Sequence, residues 1–203
     1  AVVALTAVTG YAMNGRNWLV GRQPDGSVVL PTNRRVTPAG RQIEFRGRPN
    51  AVALRPDGKT AAVLNGAYRP IIILDIESGQ VKQEFNPGDG SASFAGIVYS
   101  QDGSKLYASQ ANGAIVIANV AADGTISLDQ RVVLPQSNGN PSPAGLALSD
   151  DGSTLYVALN RNNTLGVFNL NQRTLTAEIP VGNAPHDVLL ADGKAYVSNQ
   201  GGR

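Results

Sequence analysis

Short apolar runs rich in Val, Ile, Leu and Tyr recur along this chain, each bounded by Gly, Asp, Asn or Pro, and none keeps a 3.6-residue period with helix caps. This pattern predicts strands throughout. Aligned on Asp-Gly, the segment Pro49-Asn50-Ala51-Val52-Ala53-Leu54-Arg55-Pro56-Asp57-Gly58 recurs as Phe94 to Gly103, as Pro143 to Gly152 and, shortened, as Pro185 to Gly193. The Asp-Gly landmarks lie 45, 49 and 41 residues apart. Each is followed by a second β-type run, such as Leu155-Tyr156-Val157-Ala158-Leu159, so every unit opens with a hairpin whose glycine supplies the positive φ of a tight turn.

The rest of each unit predicts a second hairpin: Ile71-Ile72-Ile73-Leu74-Asp75-Ile76 turns into Val81 to Phe85, and Leu165 to Leu170 turns into Thr176 to Val181. Continuous apolar strands such as Ile71 to Leu74 imply sheets covered on both faces. Four strands at a period of about 45 residues are the signature of a β-propeller blade. The fold class is therefore all-β, with four-stranded antiparallel blades at residues 41–86, 87–136 and 137–182 and an incomplete fourth at 183–203. That is an arc of about three and a half blades, in which Val52, Leu54, Ile72, Leu74, Val188, Leu190 and Tyr196 are expected on the uncovered end faces. The isolated chain is accordingly expected to associate or to be poorly soluble.

Tyr196-Val197-Ser198-Asn199, Leu155-Tyr156-Val157 and Ile179-Pro180-Val181-Gly182-Asn183-Ala184-Pro185-His186 resemble the bacterial YVTN-repeat propellers, related to the YncE-like and surface-layer-type proteins. The resemblance covers residues 40 to 203 and weakens in the first two units, where Ala62-Val63 and Tyr107-Ala108 depart from Tyr-Val. It implies a seven-bladed parent and leaves function open, because such propellers bind, hydrolyse lactones, transfer electrons or serve as structure. No Trp-Asp dipeptide occurs, which disfavours a WD40 protein. Residues 13–40 form a leader segment, and Val29 to Gln42 resemble the leader of exported proteins in which such a propeller precedes an alkaline-phosphatase-type phosphoesterase domain.

Residues 1–8 form an apolar run ending near Gly10-Tyr11-Ala12, which fits the remnant of a signal peptide cut after Ala12 and predicts export to the periplasm, cell surface or medium. A buried first strand is the alternative. The run is too short to span a membrane. With no Cys and one His in 203 residues, thiolate chemistry, Cys-ligated metals and two-imidazole sites are excluded. The net charge is +2, yet residues 1–69 hold ten basic and three acidic groups, and residues 70–203 hold seven and twelve. The arginines lack helical spacing and interleaved aromatics, so a solvated face is expected and no nucleic-acid partner.

The chain holds no P-loop, G-x-S-x-G or H-E-x-x-H, and Gly88-Asp89-Gly90 lacks the strand-turn-helix context of a dinucleotide site. Asp150-Asp151 is expected at a solvated hairpin tip. His186, the sole imidazole, opens an inner strand, with Asn50 in the equivalent place of the first unit. Asn65, Asn160 and Asn199 end second strands, where turn hydrogen bonding is the plain explanation. These five are the candidate channel-facing ligand contacts. No catalytic set, metal site or cofactor is assigned. Two functions stay open: an exported binding scaffold for an unknown ligand, protein or linked domain, and a propeller lactonase or related channel hydrolase.

Overall fold

In the computed structural model, the described residues are 19–66, 71–88, 92–136 and 139–202. The apolar run, the cut expected after Ala12 and the Asp89-Gly90 part of the glycine loop lie outside them. The chain divides into two compact units, residues 1–42 and 43–203.

In the first unit, β1 (Gly21–Arg22), β2 (Val28–Val29) and β3 (Arg35–Val36) form a small antiparallel sheet. The sequence reading assigns no structure to this segment. Two-residue strands carry no periodic signal, but the Asp25-Gly26 turn is of the kind that recurs in the repeats. Asp25 Oδ1 accepts from the Ser27 amide at 3.0 Å, and the Arg35 guanidinium pairs with the Asp25 carboxylate.

The second unit is a propeller arc. Blade 1 contains β4 (Pro49–Leu54), β5 (Thr60–Asn65), β6 (Ile71–Asp75) and β7 (Gln80–Phe85). Blade 2 contains β8 (Ala92–Tyr99), β9 (Lys105–Gln110), β10 (Ala114–Val120) and β11 (Ile126–Val133). Blade 3 contains β12 (Pro143–Leu148), β13 (Thr154–Leu159), β14 (Thr164–Asn169) and β15 (Thr174–Pro180). A half-blade follows, β16 (Pro185–Ala191) paired with β17 (Lys194–Asn199). Strands pair antiparallel in chain order within each sheet, and no helix occurs among the described residues. The inner strands β4, β8, β12 and β16 pack each against the next.

Period-two alternation divides each blade between two cores. Leu106 and Ala108 of β9 and Val116 and Ala118 of β10 face blade 1, where they meet Ala62, Leu64, Ile71 and Ile73. Tyr107, Ile115 and Ile117, on the other side of the same strands, meet Leu146, Leu155, Val157, Leu159 and Phe168 of blade 3. Each of these large side chains stabilises by about 1.5–3 kcal/mol on burial, so apolar packing between blades outweighs any single polar link.

The end faces are covered unevenly. Val52, Leu54 and Tyr196 are exposed, as the pattern implies, and Leu189 joins them. Ile72 and Leu74, expected on an open face, are instead buried, because Ile43 and Phe45 pack over them with Val63 and Val81. Val188 is buried too.

Candidate functional site

All four inner strands begin at the same end of the arc, and each begins with a bulge. Between Pro49 and Ala51, Pro143 and Leu146, and Pro185 and Asp187 the inner strand carries one residue more than its partner; between Ala92 and Ile97 it carries three more. Bulges re-aim the side chains they hold. This mouth collects Asn50, Phe94 and His186, each within a bulge.

Glycine permits the inner strands to crowd there. A Cβ on Gly145 would fall 2.5 Å from Asp187 Cα and 2.9 Å from the His186 carbonyl oxygen, and one on Gly96 would overlap the Ala144 carbonyl. Beneath lies a buried polar link: the Ser93 and Ser109 hydroxyls are hydrogen-bonded, and Ser109 Oγ donates to the Ala144 carbonyl at 2.6 Å, joining blade 2 to blade 3.

The five predicted residues separate by what their side chains do. Asn65 is fully buried: its Oδ1 accepts from the Arg48 amide at 2.6 Å and its Nδ2 donates to the Arg46 carbonyl at 2.8 Å, so its amide is spent on the chain itself. Asn160 Nδ2 donates to the Pro185 carbonyl at 3.0 Å, and Asn50 Nδ2 donates to the Ser93 carbonyl at 3.4 Å. Both reach from one blade to the start of the next inner strand. Asn199 is exposed and donates to Val197 within its own strand at 3.4 Å. His186 is half-buried, between Pro185, fixed by Asn160, and Asp187, whose carboxylate accepts from the Val188 amide at 2.9 Å.

Sequence reasoning missed four participants. Phe94, 67% exposed in the widest bulge, puts an aromatic ring at the mouth; the signal was available, since Phe stands there where the other three units have Pro. Asn140, which links Ala111 to Ser142, and Ser93 lie outside the aligned repeat segments, and Ser109 stands in a second run where blades 1 and 3 have Leu64 and Ala158, so none carries such a signal. The mouth thus offers an apolar ring, an imidazole and backbone carbonyls, a set suited to holding a small polar ring-shaped ligand. Among the described residues no three His, Asp or Glu gather as a metal site.

The Asp-Gly tips close the opposite end. Ser100 and Ser104 donate to Asp102, and Ser149 and Ser153 donate to Asp151; these hydrogen bonds, led by those from Ser100 and Ser149, hold both carboxyls down to about 2. Burial, the largest influence, raises the Tyr107 hydroxyl above its ordinary range.

A family model described as "Lactonase, 7-bladed beta-propeller" matches residues 75–185. No curated protein matches the chain. Among solved structures, hydrazine synthase of Kuenenia stuttgartiensis is similar over 88% of this chain and 67% of its own, at TM-score 0.63 and 20% identity. A putative 6-phosphogluconolactonase from Bacteroides fragilis is similar over 71% of this chain and 42% of its own, at TM-score 0.61 and 23% identity. The β-propeller domain of Cps50 (Swd1) from Myceliophteria thermophila is similar over 87% of this chain and 56% of its own, at TM-score 0.63 and 13% identity. At these identities the likeness is one of fold, and the chain spans about half the length of the latter two.

Proposed function

Because the chain belongs to the lactonase family of seven-bladed β-propellers, we propose that it is a binding propeller whose mouth holds a small polyhydroxylated ring, of the sugar or sugar-lactone class, through Phe94 and His186. The carrying observation is the division of labour at the mouth. Asn50, Asn65 and Asn160 are engaged in holding strands, which leaves the exposed Phe94 ring and the half-buried His186 imidazole as the groups that can meet a ligand. An apolar ring face with a few fixed polar groups is how such ligands are commonly held. Calorimetric titration with glucono-δ-lactone tests this: saturable binding, weakened at least tenfold by Phe94→Ala, is expected. The absence of binding by the parent chain, or binding that Phe94→Ala leaves unchanged, overturns it.

A second reading is lactone hydrolysis, with His186 as general base toward water. The family match and the likeness to the putative 6-phosphogluconolactonase favour it. We further propose that the chain is a YVTN-type member, a reading its Tyr-Val runs support, and that it is exported, a reading the apolar run at residues 1–8 supports. N-terminal sequencing of the parent protein expressed in bacteria should find a cut after Ala12; a retained start in a cytoplasmic product contradicts export.

A further inference from the structure

In blades 1, 2 and 3 the inner strand is followed by the residue that begins the Asp-Gly turn, Arg55, Ser100 and Ser149 respectively. These positions are equivalent, but their side chains are not. Arg55 crosses the groove to the neighbouring blade, where Nε donates to the Gly103 carbonyl at 3.2 Å and Nη1 to the Ala122 carbonyl at 3.3 Å. Its guanidinium also pairs with Asp57 at 3.2 Å, and its side chain is only 12% exposed. The groove between blades 1 and 2 is thereby plugged by a guanidinium.

One blade further on, the plug is missing. Ser100 turns back to its own Asp102 at 2.6 Å, and a cleft of about 300 Å³ remains between blades 2 and 3. Its walls are Tyr107 and Asp102 on one side and Asp150, Asp151 and Gly152 on the other, Gly152 standing where Gly103 stands in the filled groove. Lys105 at the rim is already held by Asn119 at 2.6 Å and Asp129 at 3.0 Å. Ser149 repeats the substitution, and a cleft of about 240 Å³ lies between blade 3 and the half-blade, beside Asp150, Tyr156, Asp192 and Lys194.

We propose that the cleft between blades 2 and 3 binds the guanidinium of an arginine side chain presented by a partner polypeptide, in the manner in which Arg55 fills the groove before it. Two independent observations support this. Arg55 shows in this same molecule that the groove accepts a guanidinium and supplies carbonyl acceptors for it. The unfilled cleft is lined by three carboxylates, Asp102, Asp150 and Asp151, with Asp150 standing where the filled groove has Gln101, and these favour a fixed cationic fork over a neutral ligand. A lysine ammonium, a compact and strongly hydrated charge, lacks the planar fork that reaches two acceptors at once.

The probe is acetyl-Gly-Arg-Gly-amide, with its lysine counterpart, followed by amide shifts of residues 101–104 and 150–152 in the full chain. The arginine peptide should give saturable shifts there, and the lysine peptide should bind at least tenfold more weakly. Ser100→Arg, which installs the blade 1 plug, should abolish the response; Asp150→Asn should weaken it severalfold without changing the thermal transition. Arg55→Ser should open a further groove, so that shifts also appear at residues 122–123, beside the freed Ala122 carbonyl, and the arginine peptide raises the variant's lowered melting temperature. Equal shifts with both peptides, or a response that persists in Ser100→Arg and is unchanged in Asp150→Asn, overturn the proposal.

Discussion

The Asn160 side chain donates to the main-chain carbonyl of Pro185, 25 residues further on and one blade away, at 3.0 Å. Pro185 begins the bulge that presents His186, so this bond fixes the backbone on which the sole imidazole stands. Asn160→Ala should cost about 1 kcal/mol, the net worth of a partly buried hydrogen bond. It should also shift the His186 backbone resonances. Asn199→Ala, which removes an exposed bond within one strand, should stay within about 0.5 kcal/mol of the parent. Urea unfolding checks both; equal costs would contradict the distinction between the two asparagines.

Gly145 has no room for a side chain, because the space for a Cβ is taken by the Asp187 backbone. Gly145→Val should destabilise by about 1–3 kcal/mol through overpacking and should loosen the half-blade before the other blades. Hydrogen exchange is the direct measurement: protection lost first in residues 185–199 is expected, and uniform loss contradicts it.

The propeller class, the four-strand unit and the hairpin tips were legible in the sequence because each rests on local chemistry repeated in register. The glycines of the four aligned Asp-Gly turns, Gly58, Gly103, Gly152 and Gly193, take positive φ, from 67° to 71°. What a repeat does not carry was not legible. The burial of Ile72 and Leu74 depends on Ile43 and Phe45, which precede the first strand of blade 1 and have no counterpart in the repeat pattern. The inter-blade bonds of Asn50 and Asn160 depend on where the next blade lies, so a residue type that fits a turn was found reaching across to a neighbouring strand.

The Asp-Gly tips give stability a defined acid dependence. Asp102 and Asp151 are held at about 2 in the fold, below the ordinary value of 3.8, by hydrogen bonds that the unfolded chain lacks. Their contribution is therefore present above pH 4 and is lost as pH falls toward 2. The melting temperature should drop across that window, and Asp102→Asn with Asp151→Asn should flatten the drop. An unchanged slope in the double variant contradicts this origin.

Val52, Leu54, Leu189 and Tyr196 leave apolar surface exposed on β4 and on the half-blade. The chain of 203 residues should self-associate with rising concentration, and Leu189→Lys with Tyr196→Ser should reduce this. Light scattering after size exclusion reports it; a strictly monomeric parent at 100-fold different loadings contradicts it.

In the proposed function the mouth holds its ligand through Phe94 and His186 without turning it over. The most direct measurement is the rate of glucono-δ-lactone ring opening, followed by pH-stat, with the parent chain and with His186→Ala. The account predicts the uncatalysed rate for both, together with lactone binding weakened in the variant. Acceleration by the parent that disappears in His186→Ala would contradict it and establish hydrolysis.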